Sequence, residues 1–136
     1  MTGNPRFAWI ANVARWPWQL WGLMLTGTVA TIGGAGDWWF HKVWVAVGPN
    51  EHVSHLYAMA GGGLEFFLMA GASVSARPQA WLVPILLTLI ATVVLISYDE
   101  FVFHRRRCTR FENRLHHMLT FGNGCAFLCW FHWLFV

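Results

Sequence analysis

Apolar residues fall in four long blocks, roughly 16–40, 53–75, 79–103 and 115–136, each broken by isolated polar positions. Between the second pair of blocks, and again near residue 45, charged and histidine residues crowd together. Each block approaches the ~20 residues that an α-helix needs to cross a ~30 Å hydrocarbon layer. The pattern predicts an all-α integral membrane protein, with four transmembrane helices in an up-down bundle and one membrane domain over residues 1–136. The N-terminal stretch lacks a small-residue cleavage pattern after a compact apolar run, so it reads as an anchor and not a cleaved signal.

Tryptophan placement is consistent with these spans. Trp16, Trp18 and Trp21 begin the first block, Trp81 begins the third, and Trp130 and Trp133 end the fourth. In an up-down arrangement all six fall near one membrane face, and Trp38, Trp39 and Trp44 fall near the other. Indole prefers such interfaces, where the ring is buried and the N–H stays wet.

Composition sharpens the picture. Charged residues make up 11% of the chain and hydrophobic residues 57%, against about 25% charged in an average soluble domain. Arg6, Arg15 and Arg77 lie towards one face; Lys42, Arg105, Arg106, Arg107, Arg110 and Arg114 lie towards the other. The positive-inside rule then predicts that the second face is cytoplasmic and both termini are outside, in a plasma or bacterial inner membrane. Arginines set against a bilayer suit anionic lipid headgroups, with Arg105, Arg106 and Arg107 as the candidate binders, and argue against nucleic acid as a partner. Cys108, Cys125 and Cys129 form no CxxC and no disulfide framework. Cys125 and Cys129, four apart on one helix, read as packing residues before a soft-metal pair.

The chain also contains an internal repeat, approximately 16–75 and 79–136. "DWWFHKVWVAVGPNEHVSHLYAMAGGG" lies over "DEFVFHRRRCTRFENRLHHMLTFGNG" when the loops are allowed to differ by two residues. Phe40-His41-Lys42 meets Phe103-His104-Arg105, Glu51 meets Glu112, His55 meets His116, Gly61 meets Gly122 and Gly63 meets Gly124. The fold expected is two duplicated helical hairpins related by a pseudo-twofold axis.

Each copy carries two carboxylate-x-x-x-His pairs: Asp37 with His41 and Glu51 with His55, then Glu100 with His104 and Glu112 with His116. Residues four apart share a helical face. Folding each hairpin about its tip brings a carboxylate level with an imidazole from the neighbouring helix. Packing the hairpins face to face then gathers all eight side chains in one volume. Asp99 is an alternative to Glu100, because aligning it with Asp37 costs one residue of offset. His52 and His117 lie about 100° round the helix from their neighbours and are expected to support ligands or face outward.

Charges near hydrocarbon are expensive unless partnered, and five of the six acidic residues belong to these two clusters. A divalent metal neutralises carboxylates and accepts imidazole lone pairs directly. Mixed carboxylate and histidine ligation suits iron, with zinc or manganese as alternatives, and so many candidate ligands suggest a dinuclear site, the chemistry used by soluble di-iron bundles. Ion pairing of helix-end acids with the arginines, or a histidine-ligated cofactor such as haem, are the competing readings. Glu65, the sixth acid, lies within the second apolar block about 15 Å along its helix from His55. It is a candidate for a proton path. His132 reads as a satisfied core histidine.

These residues lead to one functional expectation: a membrane-embedded metalloprotein with a di-iron centre near one membrane face, acting as an oxidoreductase or oxygenase on a lipid-soluble substrate. The alternatives are a dizinc or dimanganese lipid hydrolase, or a metal-binding accessory subunit of a larger membrane complex. Expected partners are the bilayer, other membrane-complex subunits or an electron donor.

Overall fold

The computed structural model describes residues 12–44, 48–102 and 108–136, and among these the regular structure is all helical, with no strand. Four long helices carry it: α1 Trp18–Val43, α2 Pro49–Val74, α3 Leu82–Val102 and α4 Arg110–Phe135. Short 3-10 turns precede α1 at Val13–Arg15 and α3 at Pro78–Trp81.

Local sequence sets the helix starts. Pro17 stands just before α1, and Gly48-Pro49 opens α2, where the missing proline N–H is one that a first turn leaves unpaired anyway. α4 begins with a capping box: the Thr109 hydroxyl accepts from the Glu112 N–H at 3.2 Å, and the Thr109 N–H donates to Glu112 Oε2 at 3.0 Å.

α1 packs along α4 and α2 along α3, while the remaining helix pairs touch far less. The α1/α4 seam is held close by glycine. A Cβ at Gly122 would lie 2.7 Å from the Ala30 nitrogen, and one at Gly33 would lie 2.7 Å from the Leu119 nitrogen and 2.8 Å from the Leu115 oxygen. Small residues let helix backbones approach in this way.

At one end of the bundle the interior is apolar, built on Met69, Ala72, Ile85 and Trp130. Trp130, assigned by its position to an interfacial belt, is instead 1% exposed. Its indole N–H donates to Ser73 Oγ at 2.9 Å, so the ring is buried without leaving its polar atom unsatisfied. His132 differs from expectation in the opposite sense: it is exposed, with Nδ1 2.9 Å from Gln19 Nε2 and its ring 5.5 Å from that of Trp18. A half-open apolar cleft of about 960 Å³ lies between α1 and α2, lined by Leu20, Leu23, Met24, Phe66, Ala70 and Trp133 among others.

Among the described residues one segment, Pro78–Val102, is long and apolar enough to cross a membrane, with a mean hydropathy of 2.4 in its best window. The expectation of four such spans is met at this one by length and composition. α1, α2 and α4 fall short because Gly, Trp, Thr, Asn and His interrupt their apolar runs.

Candidate metal centre

The polar residues that break these runs meet at the other end of the bundle. Asp37 and His41 stand one turn apart near the end of α1, His55 lies in the second turn of α2, Asp99 and Glu100 lie near the end of α3, and Glu112 and His116 lie in the first two turns of α4. Asp37, His41, His55, Asp99, Glu112 and His116 are all buried.

Asp37 is the hub. Its Oδ1 lies 3.5 Å from His41 Nε2 and 3.2 Å from His116 Nε2, and its Oδ2 lies 3.5 Å from His55 Nε2. Each of these histidines also faces a second carboxylate. His41 Nε2 is 3.0 Å from Glu112 Oε1, His55 Nε2 is 2.9 Å from Asp99 Oδ2, and His116 Nδ1 is 2.8 Å from Glu100 Oε2. The His41 and His55 rings are 4.5 Å apart between centroids, and those of His55 and His116 are 6.3 Å apart.

Asp37, His41, His55 and His116 each offer one ligand atom, and the four atoms lie within 4.8 Å of one another. Ligands bound to a single ion at about 2.1 Å stand roughly 3.0–4.2 Å apart. The cluster thus could hold a metal ion with inward movements of a few tenths of an ångström. The donor chemistry fits as well. A neutral imidazole has one N–H and one lone pair, and three Nε2 atoms facing one carboxylate need either a proton on each or a shared cation. His116 is the most informative, because carboxylates approach both of its nitrogens. A cation on Nε2, with Nδ1–H donating to Glu100, satisfies both sides and matches the way carboxylates orient metal-bound histidines.

The other expected residues are distributed as follows. Glu51 is half-buried in the first turn of α2 and is not among the four residues of the cluster. His52 and His117 are exposed. His104, Arg105, Arg106 and Arg107 lie outside the described residues. Glu100 lies beside His116 of the neighbouring helix, at its outer nitrogen, and Asp99, the alternative to Glu100, lies against His55.

Two contributions were missed from sequence. Cys108 forms a second possible ligand group with Glu100 and His116. Burial, reinforced by Glu112 and Glu100, pushes its thiol up to about 12, so it remains a neutral thiol unless a cation draws off the proton. Glu112 also has two tasks, since one oxygen caps α4 and the other faces His41. The Thr109-x-x-Glu112 spacing was the signal for the first. Cys129 packs against α1, its sulfur 2.8 Å from where a Gly22 Cβ would lie, and Cys125 is exposed.

No protein-family model, curated protein or solved structure matches this chain, so its chemistry is read from this geometry.

Proposed function

We propose that the chain is a four-helix integral membrane metalloprotein, an up-down bundle of two duplicated hairpins, whose carboxylate and histidine cluster holds a pair of iron ions and carries out oxidoreductase chemistry on a lipid-soluble substrate. The observation that carries this reading is the convergence of Asp37, His41, His55 and His116 on one buried volume, with Asp99, Glu100 and Glu112 behind them. Four carboxylates balance the charge of two divalent ions, and imidazole with carboxylate is a ligand set in which iron can change oxidation state.

The duplication is supported by matching contacts. His55 with Asp99 and His116 with Asp37 are the same pair in the two halves, at 2.9 and 3.2 Å. Both place an α2- or α4-type histidine against the α3- or α1-type aspartate of the other half.

Membrane insertion is supported by the outward surface. Leu25 and Ile32 on α1, Leu64 and Phe67 on α2, Leu87 and Val94 on α3, and Phe121 and Leu128 on α4 are all exposed. Large exposed apolar surface of this kind marks a face that meets a membrane or another protein. The buried cluster contributes to the low hydropathy of α1, α2 and α4, and its side chains face the interior and not the surroundings. The cleft between α1 and α2 suits the hydrocarbon part of a substrate.

In this reading the metal ions supply redox and Lewis-acid chemistry. Glu100 holds the His116 ring in position, Glu112 anchors His41, and the buried setting excludes bulk water. Elemental analysis of detergent-purified protein tests it. Iron should co-purify with the wild type and be lost from His41→Ala and His116→Ala, and the protein should remain in membranes after an alkaline carbonate wash. Protein that contains no metal, or variants that retain it in full, overturn the metal centre. Release by carbonate overturns the membrane assignment. Colourless zinc in place of iron would move the reaction to hydrolysis, with the site retained.

A further inference from the structure

A second group of buried polar side chains lies further along the bundle, outside the metal cluster. Glu65 on α2 is 1% exposed, Thr92 on α3 2% and Asn123 on α4 5%. Both Glu65 oxygens, the Thr92 hydroxyl and the Asn123 amide nitrogen have no hydrogen-bond partner among the described residues. Buried polar atoms are nearly always paired, with protein or with ordered water.

Thr92 is informative by contrast. Thr26, Thr28, Thr31 and Thr88 each donate to the carbonyl four residues earlier in their own helix, at 2.7–2.9 Å. That is how threonine hides its hydroxyl in an apolar helix. The Thr92 hydroxyl does not do this; it lies against Gly61 of α2, where a side chain would overlap it. Asn123 makes the same approach from α4, its Nδ2 3.3 Å from where a Gly62 Cβ would lie. Helical side chains lean back over the preceding turn, so Glu65 covers the Gly61-Gly62 turn of its own helix. Three helices thus bring a carboxyl, a hydroxyl and an amide against the same turn of α2, where two glycines make room for the hydroxyl and the amide.

We infer that Glu65, Thr92 and Asn123 form a proton-binding site, with Glu65 held as the neutral acid and joined to the hydroxyl and the amide through ordered water. An isolated carboxylate at such depth is disfavoured, and no lysine or arginine is buried among the described residues. The acid gives its proton to the adjoining water and recovers one from it, so the exchange needs no other reactant.

Placement suggests its use. Thr92 precedes Asp99 by seven residues and Asn123 follows His116 by seven, on the same helical faces and about 10 Å from the cluster. On α2 the interval between His55 and Glu65 presents the buried small residues Ala58 and Gly62. The site is thus set to supply protons to chemistry at the cluster, a role that rests on the metal-centre reading. Proton binding itself does not.

Infrared difference spectroscopy of detergent-solubilised protein tests the site. The wild type should show a carbonyl stretch of a neutral carboxylic acid that moves in D2O and is absent from Glu65→Gln. Thr92→Val and Asn123→Leu should each shift this band to higher frequency, and metal content should be unchanged in all three variants. The inference is overturned by a wild type without such a band, by a band indifferent to both partner substitutions, by a band abolished on adding sodium ions, which marks a cation site, or by loss of metal from Glu65→Gln, which places Glu65 in the cluster. Wild-type protein without metal would still give the band, so failure of the metal centre and failure of this site are separable.

Discussion

Gly122→Ala offers a quantitative test of the seam that positions the cluster. The new methyl would meet the Ala30 nitrogen at 2.7 Å and its Cα at 2.9 Å, and ordinary contact begins at 3.4 Å. Backbone atoms cannot swing aside, so α1 and α4 must part locally by about 0.7 Å. Overpacking of this kind costs about 1–3 kcal/mol, set against up to about 1 kcal/mol of improved helix propensity. Gly124→Ala is the matched control: its Cβ meets nothing within 4 Å, so only the propensity gain applies. Subtracting one variant from the other cancels propensity and leaves the clash, about 1–3 kcal/mol. Asp37 and His41 ride on α1 and Glu112 and His116 on α4, so the same displacement spreads the ligands beyond the ~0.2 Å tolerance of a good metal site. Affinity should fall about 10- to 100-fold, as when an orienting partner is lost. Thermal unfolding in detergent and metal retained after dialysis against a chelator measure the two effects. Equal melting and equal metal retention for both variants would refute the close α1/α4 approach and the geometry built on it.

Glu100→Gln should weaken metal binding about 10- to 100-fold without abolishing it, because it touches the outer nitrogen of His116; complete loss of metal in a chelator titration would make Glu100 a direct ligand. His52→Ala and His117→Ala, both at exposed positions, should leave metal content and stability unchanged, within about 0.5 kcal/mol, and a change in elemental analysis of either would contradict their placement. Trp130→Phe keeps the buried ring but loses the bond to Ser73, which should cost about 1 kcal/mol, whereas Trp130→Ala should cost about 3–5 kcal/mol. Similar melting temperatures for the two would mean that the indole is not packed as described.

Much of the cluster can be read from the chain because its spacing is local. Asp37 and His41 are one turn apart on any helix, and the same carboxylate-x-x-x-His spacing recurs at Glu112 and His116. What spacing could not decide is register between helices. Asp99 and Glu100 are adjacent, and choosing which faces His55 depends on how far α3 rises beside α2, a quantity set by packing at Gly61 and Thr92. Trp130 shows the same limit from the apolar side. α4 near its end is hydrophobic nearly all round, so periodicity does not identify the face that turns inward. Glu65 was conspicuous as a lone acid in an apolar block, but Thr92 and Asn123 were not, since only tertiary contact brings them to it. His132 was misjudged because it stands on an outward face of α4, two residues on from the buried Trp130, and spacing alone does not tell the two faces apart.

The capping box has one more implication. With Oε2 of Glu112 bonded to the Thr109 N–H, only Oε1 is open towards His41. Unwinding the first turn of α4 would therefore drag a carboxylate away from the centre, and extracting the ion would loosen that turn. Hydrogen exchange at the Glu112 amide should consequently report on occupancy, protected when loaded and quicker when stripped, which makes an ordinary helix end the natural gauge of whether the centre is filled.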